Sequence, residues 1–225
     1  MSPEELYKIL SEYINQILLI FNSILFFSLI KNRKNADPII WGIFLILNLL
    51  SSFDSICGLY FHLTGNLNPI RIFRINYAVG EWIFFLLFFY LTEKNSRLKC
   101  FLKYLVYSSL VLTTIILIYN YFYSKYNDLY ISDFKFLTIA PLTIYRFFEF
   151  PKHSKFENVF LSPNFYINVA IFQLTTLNFS LDLFRLSIFY FSRDIYFINV
   201  FISWLSYFAF FSILAIAFSK YSKRT

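Results

Sequence analysis

The chain has 225 residues, 58% of them apolar and only 15% charged, with a formal net charge of +7. A soluble domain carries about 45–50% apolar and about 25% charged residues, so an ordinary soluble fold is excluded and a bilayer is the expected solvent. The positive charge does not call for nucleic acid, because the basic residues lie mostly between apolar runs, where they orient a membrane protein and meet anionic lipid headgroups.

The N-terminus is acidic at Glu4 and Glu5, where a signal peptide would be basic, so no cleavable signal is expected. Ser2, Pro3 and Glu5 read instead as a helix start. Seven apolar runs follow, over residues 13–30, 38–61, 75–91, 104–123, 134–150, 161–182 and 195–218, and Pro38 is well placed to open the second. A turn-rich segment from Thr64 to Pro69 separates the second and third. Lys94, Arg97, Lys99 and Lys103 form a basic loop before the fourth. The fifth holds Pro141, Arg146 and Glu149, and the sixth ends between Phe179 and Tyr190. The expected fold is all-α: a polytopic membrane helix bundle of about seven transmembrane helices, one domain over residues 1–225, in the cell (inner) membrane.

Basic loops resist translocation and stay in the cytoplasm. With seven spans and the N-terminus outside, 13 of the 20 Lys and Arg fall inside and 7 outside. The inner set includes Lys31, Arg33, Lys34, Arg146, Lys220, Lys223 and Arg224; Lys135 falls in the outer set. Removing the fifth span leaves 9 inside and 11 outside, and the bias disappears. The expected topology is N-terminus outside and C-terminus cytoplasmic. Spans 1–3 and 5–7 are compatible with a parallel repeat joined by span 4, although no matching residues relate the halves.

Ionisable groups inside a span are costly and face the bundle interior. Asp54 and Glu81 are expected in the outer half of the membrane. Arg146 sits near an inner end, where its stem can reach the headgroups. Asp54 is surrounded by Asn48, Ser51, Ser52, Ser55 and Gly58, a setting for close helix contact or for a binding carboxylate. Glu81 in apolar surroundings is a candidate for proton-linked chemistry. In span 6, Asn164, Asn168, Ile171, Thr175, Asn178, Asp182 and Arg185 are spaced 4, 3, 4, 3, 4, 3 and share one helix face. A polar stripe of this kind cannot face lipid.

The candidate ligand-binding residues are therefore Asp54, Glu81, Asn168, Thr175, Asn178, Asp182 and Arg185. Asn15, Gln16, Asn22 and Asn199 are expected to join them in an outward-facing polar pocket, with His62, Arg71 and Arg74 at its rim. No catalytic residue, metal site or cofactor is expected. There is no zinc-protease or serine-hydrolase motif, no phosphate loop and no acidic cluster for Mg²⁺. Cys57 and Cys100 are not expected to pair. The many Phe and Tyr follow A/T-rich codon usage, shared with Ile, Asn and Lys, rather than an aromatic pocket.

The Gly80-Glu81-Trp82 start of an aromatic run to Tyr90, the short basic loops, and a last apolar span with Asn199 resemble small seven-span bacterial inner-membrane proteins with no assigned activity. That resemblance implies a fold and transfers no functional residue. Three roles follow from the residues. The first is a sensor or accessory subunit that binds a small ligand from outside and signals to a cytoplasmic partner. The second is a small-solute transporter with a polar path along span 6, and the third, disfavoured by the missing motifs, an intramembrane enzyme.

Overall fold

The computed structural model describes residues 3–64, 68–123, 129–153, 159–191 and 193–221; within them, side chains at 3–12, 61–63, 68–76, 116–117, 119–123, 129–133, 152–153, 182–191 and 193–197 lie outside the description. Among the described residues the chain is helical throughout: α1 Pro3–Lys31, α2 Pro38–Thr64, α3 Asn68–Thr92, α4 Ser96–Tyr123, α5 Leu129–His153, α6 Pro163–Phe191 and α7 Arg193–Tyr221. Each has 25 to 29 residues, about 38–44 Å at 1.5 Å per residue, against about 30 Å for a hydrocarbon core.

Four are also apolar enough to cross a membrane, through Tyr13–Lys31, Pro38–Tyr60, Ser96–Ile115 and Ile198–Tyr221. A shorter apolar stretch, Tyr77–Thr92, lies in α3. Large apolar side chains point outward, among them Ile20, Phe27, Tyr104 and Leu137, while Asn22, Asn48, Glu81 and Asn168 are buried. An apolar exterior around a polar centre is the pattern that lipid, not water, supports. The chain is thus a helical bundle with the composition of a multi-pass membrane protein.

The helix starts are chemically marked. Asp37 caps α2, its Oδ1 accepting the Ile39 and Ile40 N–H groups at 2.9 and 3.1 Å. Asn95 caps α4 in the same way, accepting from Arg97 and Leu98 at 3.0 and 3.4 Å. That cap corrects the expected basic loop: Arg97, Lys99 and Lys103 belong to the first turns of α4, where long basic side chains are good helix formers. Pro163 opens α6, which runs to Phe191, one residue past the far limit of the expected ends, Phe179 to Tyr190. Pro141 lies inside α5 without ending it.

Contacts fix the packing order. The helices α1, α2, α3, α5, α6 and α7 close a ring in which each packs on the next and α7 returns to α1; α4 packs principally on the outside of α3. Residue pairings give the directions. Trp41 donates to Leu29 O while Asn48 donates to Asn22, so α1 and α2 are antiparallel. Tyr221 meets Asn164 and Ser206 meets Gln173, so α6 and α7 are antiparallel. Phe21 stacks on Phe208 and Ser28 donates to Ala215 O, so α1 and α7 are parallel. The helices α3 and α5 are also parallel, because Glu81 pairs with Lys135 and Glu93 with Arg146.

The ring thus holds two triplets, α1–α2–α3 and α5–α6–α7, with α4 outside as the connector. The α3–α5 seam in one half corresponds to the α7–α1 seam in the other. Across the centre, α3 and α7 meet through Tyr77–Tyr207 and Phe85–Phe210, with ring centroids 6.2 and 5.8 Å apart. The repeat absent at residue level is present in the arrangement of helices.

Candidate functional site

The polar residues of the six ring helices lie largely in one layer. Asn22 of α1 donates to Ser51 Oγ of α2 at 3.1 Å, and Asn48 of α2 donates back to Asn22 Oδ1 at 3.2 Å. On α3, the Tyr77 hydroxyl donates to Glu81 Oε1 at 3.5 Å. Glu81 Oε2 accepts from Lys135 Nζ of α5 at 2.5 Å. Polar contacts thus join α1 to α2 and α3 to α5.

The layer continues on α6 and α7. Phe136 stacks face to face on Phe179 at 3.7 Å, which sets Lys135 of α5 close to the level of Asn178 of α6. Ser203 of α7 donates to Asn178 Oδ1 at 3.4 Å, and Gln173 of α6 donates to Ser206 Oγ at 3.0 Å. Thr175 is buried one turn from Asn178. Asn168, two turns further along, donates to Thr143 O of α5 at 3.1 Å. Two acceptors on this face, Asn168 Oδ1 and Thr175 Oγ1, are buried with no hydrogen-bond partner.

At its centre is the ion pair. The side chains of Glu81 and Lys135 are 0% and 5% exposed, so water screens neither charge. A lone charge mid-helix in a bilayer costs about 2.5–3.5 kcal/mol on insertion scales, and pairing removes the net charge. The second pair, Arg146–Glu93 at 3.2 Å, lies at the end of α3 and is 15% exposed on the arginine side. Twelve residues separate Glu81 from Glu93, about 18 Å along the axis. The two pairs therefore pin α5 to α3 at the centre and at one rim. This is how α5, with charges at both positions, packs inside an apolar bundle.

The rim carrying Arg146 has a distinct chemistry. Arg33 lies over the Trp41 ring, Lys99 over Tyr90 and Lys220 over Tyr166, at 5.2, 5.4 and 5.0 Å from the ring centroids. The helix directions put all three at one end of the bundle, as a basic and aromatic belt.

Several expectations are met and several corrected. Asn168, Thr175 and Asn178 face inward, as the span 6 stripe requires. Asp182 and Arg185 lie in α6, but their side chains are outside the described residues, as are those of His62, Arg71 and Arg74. Asp54 is half-buried and within electrostatic reach of Tyr77 and Cys57. The helix α3 starts seven residues before the expected span, and Glu81 lies near the start of its apolar stretch Tyr77–Thr92. Asn22 and Asn48 are central in the apolar windows of α1 and α2.

Gln16 is exposed and leaves the proposed pocket, since it falls on the outer face of α1. Arg146 pairs with Glu93 and donates to Thr92 Oγ1 and Phe89 O. The sequence reading missed Lys135, which lay at the edge of the fifth span and was counted with the outer loop. Its signal was the need of Glu81 for a counter-charge. Cys57 and Cys100 are free thiols. Among the described residues no His, Cys, Asp and Glu gather to hold a metal.

Comparison with protein-family models, with curated proteins and with solved structures gives no match to this chain.

Proposed function

We propose that the protein is a seven-span transporter of the cell (inner) membrane, N-terminus outside and C-terminus cytoplasmic, that passes a small polar or charged solute through its central layer. The observation that carries this reading is the Glu81–Lys135 pair, fully enclosed in a ring to which all six helices bring polar groups. Buried intramembrane charges mark solute and ion paths, and transporters hold their solute near the midplane between structural repeats. The two triplets and their parallel seams agree with such a design. The basic, aromatic rim agrees with a cytoplasmic face.

The test is cysteine accessibility in membranes. With Cys57 and Cys100 replaced by Ser, single cysteines at Asn168, Thr175 and Asn178 are exposed to a membrane-impermeant thiol reagent from each side in turn. Transport predicts labelling of Thr175→Cys or Asn178→Cys from both sides. Labelling from outside only would favour the sensor with a cytoplasmic partner. Labelling from neither side would leave the layer as a packing seam and end the proposal.

A further inference from the structure

We propose that the basic rim holds one anionic phospholipid with two phosphates on its headgroup, seated in the valley between α2 and α4. The proposal stands apart from the transport reading. It starts from unspent charge. The end of α1 and the α1–α2 loop carry Lys31, Arg33 and Lys34, and the α3–α4 connection and the first turn of α4 carry Lys94, Arg97 and Lys99. Among the described residues none of these cations meets a carboxylate at ion-pair distance. The carboxylates on the same two connections are engaged within the protein. Asp37 caps α2 through the Ile39 and Ile40 N–H groups. Glu93 is buried, pairs with Arg146 and accepts the Asn95 N–H at 2.7 Å. The positive charge is left for an anion from outside the chain.

The two connections are neighbours. Phe44 in the second turn of α2 meets Phe88 near the end of α3, with ring centroids 5.9 Å apart. Trp41 lies one turn from Phe44 toward the rim, and Tyr90 lies two residues from Phe88 toward the same rim. Arg33 sits over Trp41 at 5.2 Å and Lys99 over Tyr90 at 5.4 Å. Two cations are thus seated at similar depth on adjacent helices, and the axes of packed helices lie about 8–10 Å apart. A ring covers one side of a cation and leaves N–H groups free to bind phosphate oxygens. One phosphate fills one seat. A headgroup with two phosphates on a short bridge fills both, and its second contact needs no second association.

The valley supplies the apolar half of the site. The helices α2 and α4 both pack on α3 and make little contact with each other, so a valley floored by α3 separates them. Ile39 and Ile46 on α2, and Phe101 and Tyr104 on α4, are exposed. Phosphates at the rim with acyl chains running along these helices match a phospholipid, whereas an acidic protein or a free polyphosphate would leave the apolar flanks unused. On the opposite flank of α4, toward α5, Arg146 is already held by Glu93, Thr92 Oγ1 and Phe89 O.

The test is native mass spectrometry of the purified full chain in mixed micelles, with cardiolipin, phosphatidylglycerol and phosphatidylcholine added in turn at equal phosphate. One cardiolipin is expected to stay on each chain at collision energies that strip the other two lipids. Arg33→Gln with Lys99→Gln empties both seats and is expected to weaken that binding about tenfold or more. Lys34→Gln with Arg97→Gln, at exposed positions that leave the fold intact, is expected to weaken it severalfold. Lys220→Gln, at the far corner over Tyr166 of α6, is expected to leave it unchanged. Equal retention of all three lipids, a graded series of bound cardiolipins with no preferred first one, or parent-like binding in both double variants would overturn the proposal. So would displacement of cardiolipin by inorganic pyrophosphate at equal concentration, which would make the site one for a soluble anion, or by polyglutamate, which would assign the face to an acidic protein.

Discussion

Replacing Glu81 by Gln removes the counter-charge of Lys135 and leaves an ammonium, 5% exposed on its side chain, in the α3–α5 seam. Removing one partner of a buried ion pair costs about 3–5 kcal/mol, because the remaining charge is uncompensated. The cost of a lone lysine at mid-membrane, about 2.5–3.5 kcal/mol on insertion scales, agrees in size. Lys135→Gln removes the other partner and is expected to cost a similar amount. The double variant with Gln at both positions restores neutrality and is expected within about 1 kcal/mol of the parent, because a neutral pair avoids the desolvation penalty. The exchange Glu81→Lys with Lys135→Glu is expected to recover most of the loss. Reversible unfolding in mixed micelles measures all four, and the double-mutant cycle is expected to give a coupling energy at or above the usual range of about 0.5–3 kcal/mol. Single variants losing under about 1 kcal/mol, as for exposed pairs, would refute the reasoning.

Other substitutions separate the remaining contacts, read in the same assay. Arg146→Met breaks the rim pair with Glu93, where partial exposure and nearby headgroups screen the charges, and costs about 1 kcal/mol or less. Gly58→Leu drives a side chain into Asn15 of α1, where even a Cβ meets the amide, and costs about 1–3 kcal/mol as overpacking; Gly42→Leu, with nothing within 4 Å of a Cβ, stays within about 0.5 kcal/mol of the parent. Asn48→Leu loses two hydrogen bonds to Asn22 and costs about 0.6 to 1.7 kcal/mol, the range for interhelical bonds in membranes.

What the sequence made legible was set by local chemistry. Apolar runs announced the helices, and the 4–3 spacing of Asn168, Thr175 and Asn178 announced an inward face, because helical periodicity is a property of neighbours in the chain. Pro38 marked a helix start for the same reason. Helix ends were less legible: α4 begins at Ser96 because Asn95 caps it, although the first turns are too basic to count as apolar span.

The ion pairs were not legible, because Glu81 and Lys135 are 54 residues apart and no periodicity relates positions on different helices. The start of α3 was misplaced for a related reason. A hydropathy window stops at polar residues such as Asn68 and Arg71, while the backbone helix continues through them. Gln16 looked like a pocket residue by type, and only the rotation of α1 against α2 and α7 turns it outward. Ring closure through the α1–α7 and α3–α5 seams depends on contacts that no sequence window contains.

The central claim is that the ring opens its polar layer to one side and then to the other. Spin-label distance measurements in lipid test it directly, with Cys57 and Cys100 replaced and labels at exposed sites on both ends of the bundle. One pair, Tyr60→Cys with Ile198→Cys, reports the end away from the basic rim; the other, Ile39→Cys with Leu161→Cys, reports the rim. The account predicts two populations in each pair, the fraction with the longer distance at one end matching the fraction with the shorter distance at the other. A single narrow distribution in both pairs would contradict it and leave a rigid bundle whose central ion pair serves only to hold α5 in place.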